Sequence, residues 1–177
     1  MADITIYLVK RCMLLPSIES AMREQLQAHF DAVLQRNDEW REDYTVTVRI
    51  GSSCPTLPNE RDVVVYLVQN AGASVLSQFG VVAHGHGGLT VMNITPGRQT
   101  ASEVYVGTSN ATLLAKVAFH EALHNKTGWS NNRLHHYRGG SITAAVLRVD
   151  TGINDRDLDL MGQHLGRRHR QWSGGCR

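Results

Sequence analysis

The sequence predicts an α+β fold: a mixed, twisted β-sheet packed with two long helices and followed by an irregular C-terminal lobe. Five short runs rich in β-branched residues predict the strands. Two stretches whose apolar residues recur at three and four predict the helices. Beyond Gly128 the chain turns polar and glycine-rich, which predicts the irregular lobe.

Residues 3–9, DITIYLV, alternate as a half-buried strand does. Pro16 then opens a helix to about Asn37, on which Ile18, Met22, Leu26, Phe30, Val33 and Leu34 form one apolar face. Residues 44–50, YTVTVRI, read as a second strand. GSSCPTLPNE is a loop with two prolines. DVVVYLVQ, 62–69, is a nearly continuous apolar run, as a central strand covered on both faces would be. A glycine-rich loop, AHGHGG, leads to a strand at about 88–94; TPGRQ turns the chain into another at 102–108. Ser109 or Asn110 caps the second helix, which runs to about Lys126 and stops near Gly128. Leu113, Val117, His120 and His124 share one stripe of it, so the histidines continue its core-facing side. In the last segment SITAAVLRV predicts a short helix, and the stretch through LDLMGQHLG is irregular, then helical.

At 177 residues, 42% hydrophobic and 19% charged, the chain fits one domain with a sizeable core. Gly128 divides it into an N-terminal lobe, 1–128, and a C-terminal lobe, 129–177. A net charge of +2 supplies no general pull toward nucleic acid. Leu160 to Arg177 nevertheless carries four arginines and no acid, a solvated basic tail or a contact for an anionic partner. Cys12, Cys54 and Cys176 form no C-x-x-C pair, which removes zinc-finger and thioredoxin readings and leaves room for one bridge at most. The N-terminus lacks the pattern of a signal peptide, and no stretch approaches the ~20 apolar residues of a membrane span. A soluble protein is expected, cytoplasmic or exported without a signal peptide.

The chemistry concentrates in HEALH, His120 to His124. Positions i and i+4 lie one above the other on a helix, so both imidazoles can face one metal ion. Glu121, one step round, can reach a water bound there, which is the H-E-x-x-H arrangement of a zinc hydrolase with a glutamate general base. Zn2+ is therefore the expected cofactor. A catalytic zinc takes three protein ligands and leaves a position for water. No glutamate follows Glu121, so the third ligand comes from His135, His136, His164, His169 or the aspartates Asp150, Asp155, Asp157 and Asp159. The turn at Gly128 returns the chain within a few residues and favours His135 or His136. We take His135, because Leu134 before it can anchor the returning loop in the core. Tyr137 would then lie near the metal, as an oxyanion donor or as a packing residue.

These features resemble the metzincin clan of zincin-type zinc metallopeptidases. The resemblance covers roughly residues 1–136 by architecture and 120–136 by motif, where the clan carries H-E-x-x-H-x-x-G-x-x-H above a methionine turn. Here three residues separate His124 from Gly128, Asn131 stands three beyond that glycine, and His135 stands seven beyond it. The resemblance implies a zincin-like fold, hydrolysis of peptide bonds in a protein or peptide substrate, and a turn methionine that Met161 would supply. It also implies an edge strand, after AHGHGG, along which substrate backbone lies. His84 and His86 would line that cleft, bind a second metal, or simply be exposed. A bare catalytic unit of this size also suits a toxin or effector protease. Two other readings stand beside this one. One is a non-hydrolytic zincin-fold binding domain with a structural metal, against which Glu121 argues. The other is a nucleic-acid-binding protein using the basic tail, against which the low net charge and few aromatics argue.

Overall fold

The computed structural model describes the chain apart from residues 57, 82–86, 96, 108–109, 144–145 and 175–177, and the side chain of Glu39. Five strands form one sheet: β1 (Ala2–Lys10), β2 (Tyr44–Gly51), β3 (Val63–Val68), β4 (Gly88–Ile94) and β5 (Gln99–Tyr105), in the order β2-β1-β3-β5-β4. Four of them run parallel, and β4, at the sheet edge, is antiparallel to β5. The long connection from β1 to its parallel neighbour β2 is the helix α1 (Pro16–Arg36) and the short α2 (Asp38–Asp43), as a parallel crossover needs. The fold is therefore α+β with a mostly parallel mixed sheet.

β3 is central, and all six of its residues are buried, as its unbroken apolar run requires. Its side chains supply two cores. On one face Val63, Val65 and Leu67 meet Met22, Leu26, Phe30 and Val33 of α1 and Leu114, Ala118 and Phe119 of α3 (Ala111–Thr127). On the other, Val64, Tyr66 and Val68 meet Leu76, Phe79 and Trp172, so the segment after β3 and the C-terminal chain cover the sheet there. The C-terminal chain also runs beside the start of β5: Thr100 accepts from Trp172 N and donates to Arg170 O.

The helix α3 is buried from Leu114 to Thr127 except at Lys116, the pattern of a helix enclosed on all sides. The histidine stripe is buried with it, as its alignment with Leu113 and Val117 implies. It faces the C-terminal lobe, formed by α4 (Asn131–His135), the loop after it and α5 (Asp155–His164). That lobe has no separate core: Leu134, Ile142, Leu160, Met161 and Leu165 join the cluster of α1 and α3.

Three local expectations change. The strand expected at 102–108 starts three residues earlier, because β5 is defined by its pairing with β3 and β4 and not by its own apolar run. No helix forms across the described part of 141–149, which turns and bends. Met161 lies within α5, wholly buried, so it is not in a turn. Cys54 is disulfide-bonded and Cys12 is a free thiol; Cys176 falls outside the described residues. No helix among the described residues is long and apolar enough to cross a membrane.

Candidate metal centre

The α3 helix starts at Asn110, whose side chain accepts from Leu113 N at 3.0 Å, so Asn110 is the cap. It ends at Gly128, which adopts φ 65° and donates its N–H to His124 O. Glycine suits the left-handed conformation there, and the Arg167 guanidinium packs into the space that a Cβ would take. The reversal brings the Trp129 carbonyl back against the helix, 2.8 Å from His124 Nδ1. α4 follows at once, and Leu134, fully buried, ties it to the core. His135 then stands over α3 with Nε2 3.3 Å from His120 Nε2. His136 is exposed, with Nδ1 3.0 Å from Asn132 O, and stays outside the group.

His120, His124 and His135 offer ligand nitrogens that all lie within 4.8 Å of one another, the one such group among the described residues. The arrangement suits a metal ion in two respects. His120 Nδ1 lies 2.6 Å from Ile142 O, and His124 Nδ1 2.8 Å from Trp129 O. A carbonyl only accepts, so each Nδ1 carries the hydrogen and each Nε2 presents a lone pair, the tautomer that metal-ligating histidines are held in. Tetrahedral coordination with zinc–nitrogen bonds of about 2.0–2.1 Å also sets nitrogens about 3.3–3.4 Å apart, which the His120–His135 spacing already meets.

Electrostatics keep the three rings neutral. Burial holds His120 down to about 3, aided by its histidine neighbours and opposed by the Ile142 carbonyl. Burial likewise lowers His124 to about 4, and lowers His135 as well. Glu121, one step round α3 from His120, reaches the edge strand β4. Its Oε2 accepts from Thr90 Oγ1 of β4 at 2.6 Å. Its carboxyl occupies the room that Gly88 leaves, since a Cβ at Gly88 would lie 2.7 Å from Glu121 Oε1. Burial pushes Glu121 up to about 8, the Thr90 hydroxyl opposes this, and the nearby Glu103 adds to it. A cation bound at the histidines would favour the charged form.

The remaining candidates have other partners. Asp155 and Asp159 pair with Arg36. Asp150 belongs to no metal-sized group among the described residues. Asp157 is fully buried and accepts from Ser141 N, Ser141 Oγ, Ile142 N and Asn154 N through Oδ2. It therefore fixes the loop whose Ile142 carbonyl holds His120. His164 bonds to Leu160 O, and its ring packs edge-on against Trp129. His169 contacts Asn125 Oδ1. Tyr137 packs against Trp129, with ring centroids 5.8 Å apart. His84 and His86 lie outside the described residues. Sequence reasoning missed the half-buried Thr90 and the buried Ser102, Asn125 and Gln171, which form a polar network behind Glu121. Their one sequence signal was polarity at positions where strand and helix are otherwise apolar. The chain matches no known family profile, no curated protein and no solved structure.

Proposed function

We propose that this chain is a zinc-dependent metallopeptidase of zincin type, metzincin-like, with His120, His124 and His135 as ligands and Glu121 as general base. The observation that carries the reading is the convergence of three imidazoles, two of them locked with Nε2 outward, on a helix whose next residue is a buried glutamate. The antiparallel edge strand β4 beside that glutamate adds support, because it is where the metzincin resemblance expects substrate. Zinc held by such a set supplies a Lewis acid and lowers the pKa of water towards ~7. The chain's own residues do the rest. β4 offers backbone groups to an extended peptide. Glu121 takes a proton from the attacking water on a carboxylate oxygen and delivers it to the leaving amine. The enclosing C-terminal lobe holds the His120 and His124 rings in place through the Ile142 and Trp129 carbonyls.

One observation favours a second reading, a zincin-fold domain with a structural metal. Glu121 is almost wholly buried and holds its proton up to about 8 in the metal-free chain. The two readings part on Glu121→Gln. In a peptidase this variant keeps its zinc and loses about 100-fold or more in peptide hydrolysis. Zinc-loaded wild type and variant that are equally inert toward peptides would leave the structural reading standing.

A further inference from the structure

A run of hydrogen bonds, buried as far as Ser102 and half-buried at Thr90, ends on Glu121, and its amides are oriented from the far end. Val64 N, a backbone donor, meets Gln171 Oε1 at 3.0 Å, which orients the Gln171 amide. Gln171 Nε2 then donates to Asn125 Oδ1 at 3.0 Å, which orients the Asn125 amide in turn. Asn125 Nδ2 can only donate, and it does so to Ser102 Oγ at 3.1 Å. The Ser102 hydroxyl, accepting there, keeps its own hydrogen to give, and the nearer acceptor is Thr90. Thr90 Oγ1 is 2.8 Å away, whereas the alternative, Glu121 O, is 3.4 Å away. With its oxygen accepting from Ser102, Thr90 sends its hydrogen to Glu121 Oε2 at 2.6 Å. The donors all point toward the carboxylate.

We infer that Thr90 is a positioning residue: its hydroxyl, held by Ser102 and Asn125, keeps the Glu121 carboxyl group in the orientation that proton transfer needs. The inference rests on the peptidase reading above. Ser102 and Asn125 sit at 0% and 1% exposure, so the network lies inside the fold, where its far end also satisfies the Val64 N–H. A buried polar chain is stabilising only when every member is satisfied, and here each bond is completed by the next. Gly88 completes the fit from the same strand, because a side chain there would displace the carboxylate that Thr90 holds. A small displacement of a reacting group can cost about 100-fold in rate, so a hydroxyl that never touches substrate can still govern turnover.

The test is a double-mutant cycle with Thr90→Val, which keeps the branched shape without the hydroxyl, in wild-type and Glu121→Gln backgrounds. Zinc content is measured first, then kcat and KM on a quenched-fluorescent peptide that the wild type cleaves. Expected are a ~10-fold or greater fall in kcat with KM and zinc unchanged, recovery to within ~3-fold in Thr90→Ser, and no further loss from Thr90→Val once Glu121 is Gln. Urea unfolding of the four metal-free forms should show a coupling between the two positions. Should Thr90→Val fail to fold, Ser102→Ala is read the same way, with a smaller fall in kcat expected. Wild-type kcat in a folded Thr90→Val, or an equal fall in both backgrounds, overturns the inference and leaves the peptidase reading intact. Zinc-loaded wild type that cleaves no peptide overturns that reading, and the positioning role with it.

Discussion

His135 and His136 are neighbours of the same chemistry, and the backbone between them decides which one can serve. His135 ends α4 with its ring over α3, near-parallel to that of His120 with centroids 5.2 Å apart. His136 points to solvent and spends Nδ1 on Asn132 O. Removing a ligand nitrogen should cost more than removing a supporting group, for which losses of about 10–100-fold are usual. His135→Ala is accordingly expected to weaken zinc binding more than ~10-fold, measured by competition with a chromogenic chelator. His136→Ala should bind as the wild type does. The reverse order would move the third ligand by one residue.

At the scale of elements, the orientation of the α3 histidines depends on loops they do not belong to. Asp157, at the start of α5, gathers four donors through one oxygen and so fixes the loop carrying Ile142. Asp157→Ala leaves two donors of that loop, Ser141 N and Ile142 N, without their acceptor and frees the carbonyl that orients His120. A stability loss of about 2–4 kcal/mol is expected from the lost charged hydrogen bonds, read by urea unfolding. Zinc affinity should fall by about 10–100-fold in the same variant. Unchanged affinity would detach Asp157 from the metal site. The elements also show what a sequence can reveal. The α1 stripe, the unbroken apolar β3 and the Asn110 and Gly128 ends of α3 were readable, because caps, periodicity and strand burial are written locally. HEALH was readable for the same reason. The start of β5 was not, since its partners set it, and neither was the role of Asp157, whose partners lie at 141, 142 and 154. The seven-residue step from Gly128 to His135 matched no motif; it depended on how α4 packs through Leu134.

At the scale of the whole molecule, enclosing α3 makes stability depend on pH. Burial lowers His120 to about 3 and both His124 and His169 to about 4, and also lowers His29 and His135. In the unfolded chain each would take a proton near 6.5. Between about 6.5 and 4 the unfolded state therefore binds more protons than the folded one, so stability rises with pH across this window. On acidification it is lost, by up to ~1.4 kcal/mol per pH unit for each of His120, His124 and His169. The urea midpoint of metal-free protein should fall below about pH 6.5, where the buried histidines together outweigh the opposite contribution of the raised Glu121 carboxyl. His169→Gln should lessen that slope, because His169 lies on the polar network and not at the metal group. A midpoint constant from pH 7 to 4.5 would contradict the enclosed, neutral histidines.

A titration of metal-stripped protein with zinc, followed calorimetrically in wild type and in the His120→Ala/His124→Ala variant, tests the centre most directly. The three-histidine centre predicts one zinc per chain in the wild type, bound with release of protons as pH is lowered toward the ring pKa values. It predicts no stoichiometric binding in the double variant, provided the far-ultraviolet spectrum shows that variant folded. One equivalent of zinc bound with undiminished affinity by the folded double variant would contradict the assignment, and with it the peptidase built upon it.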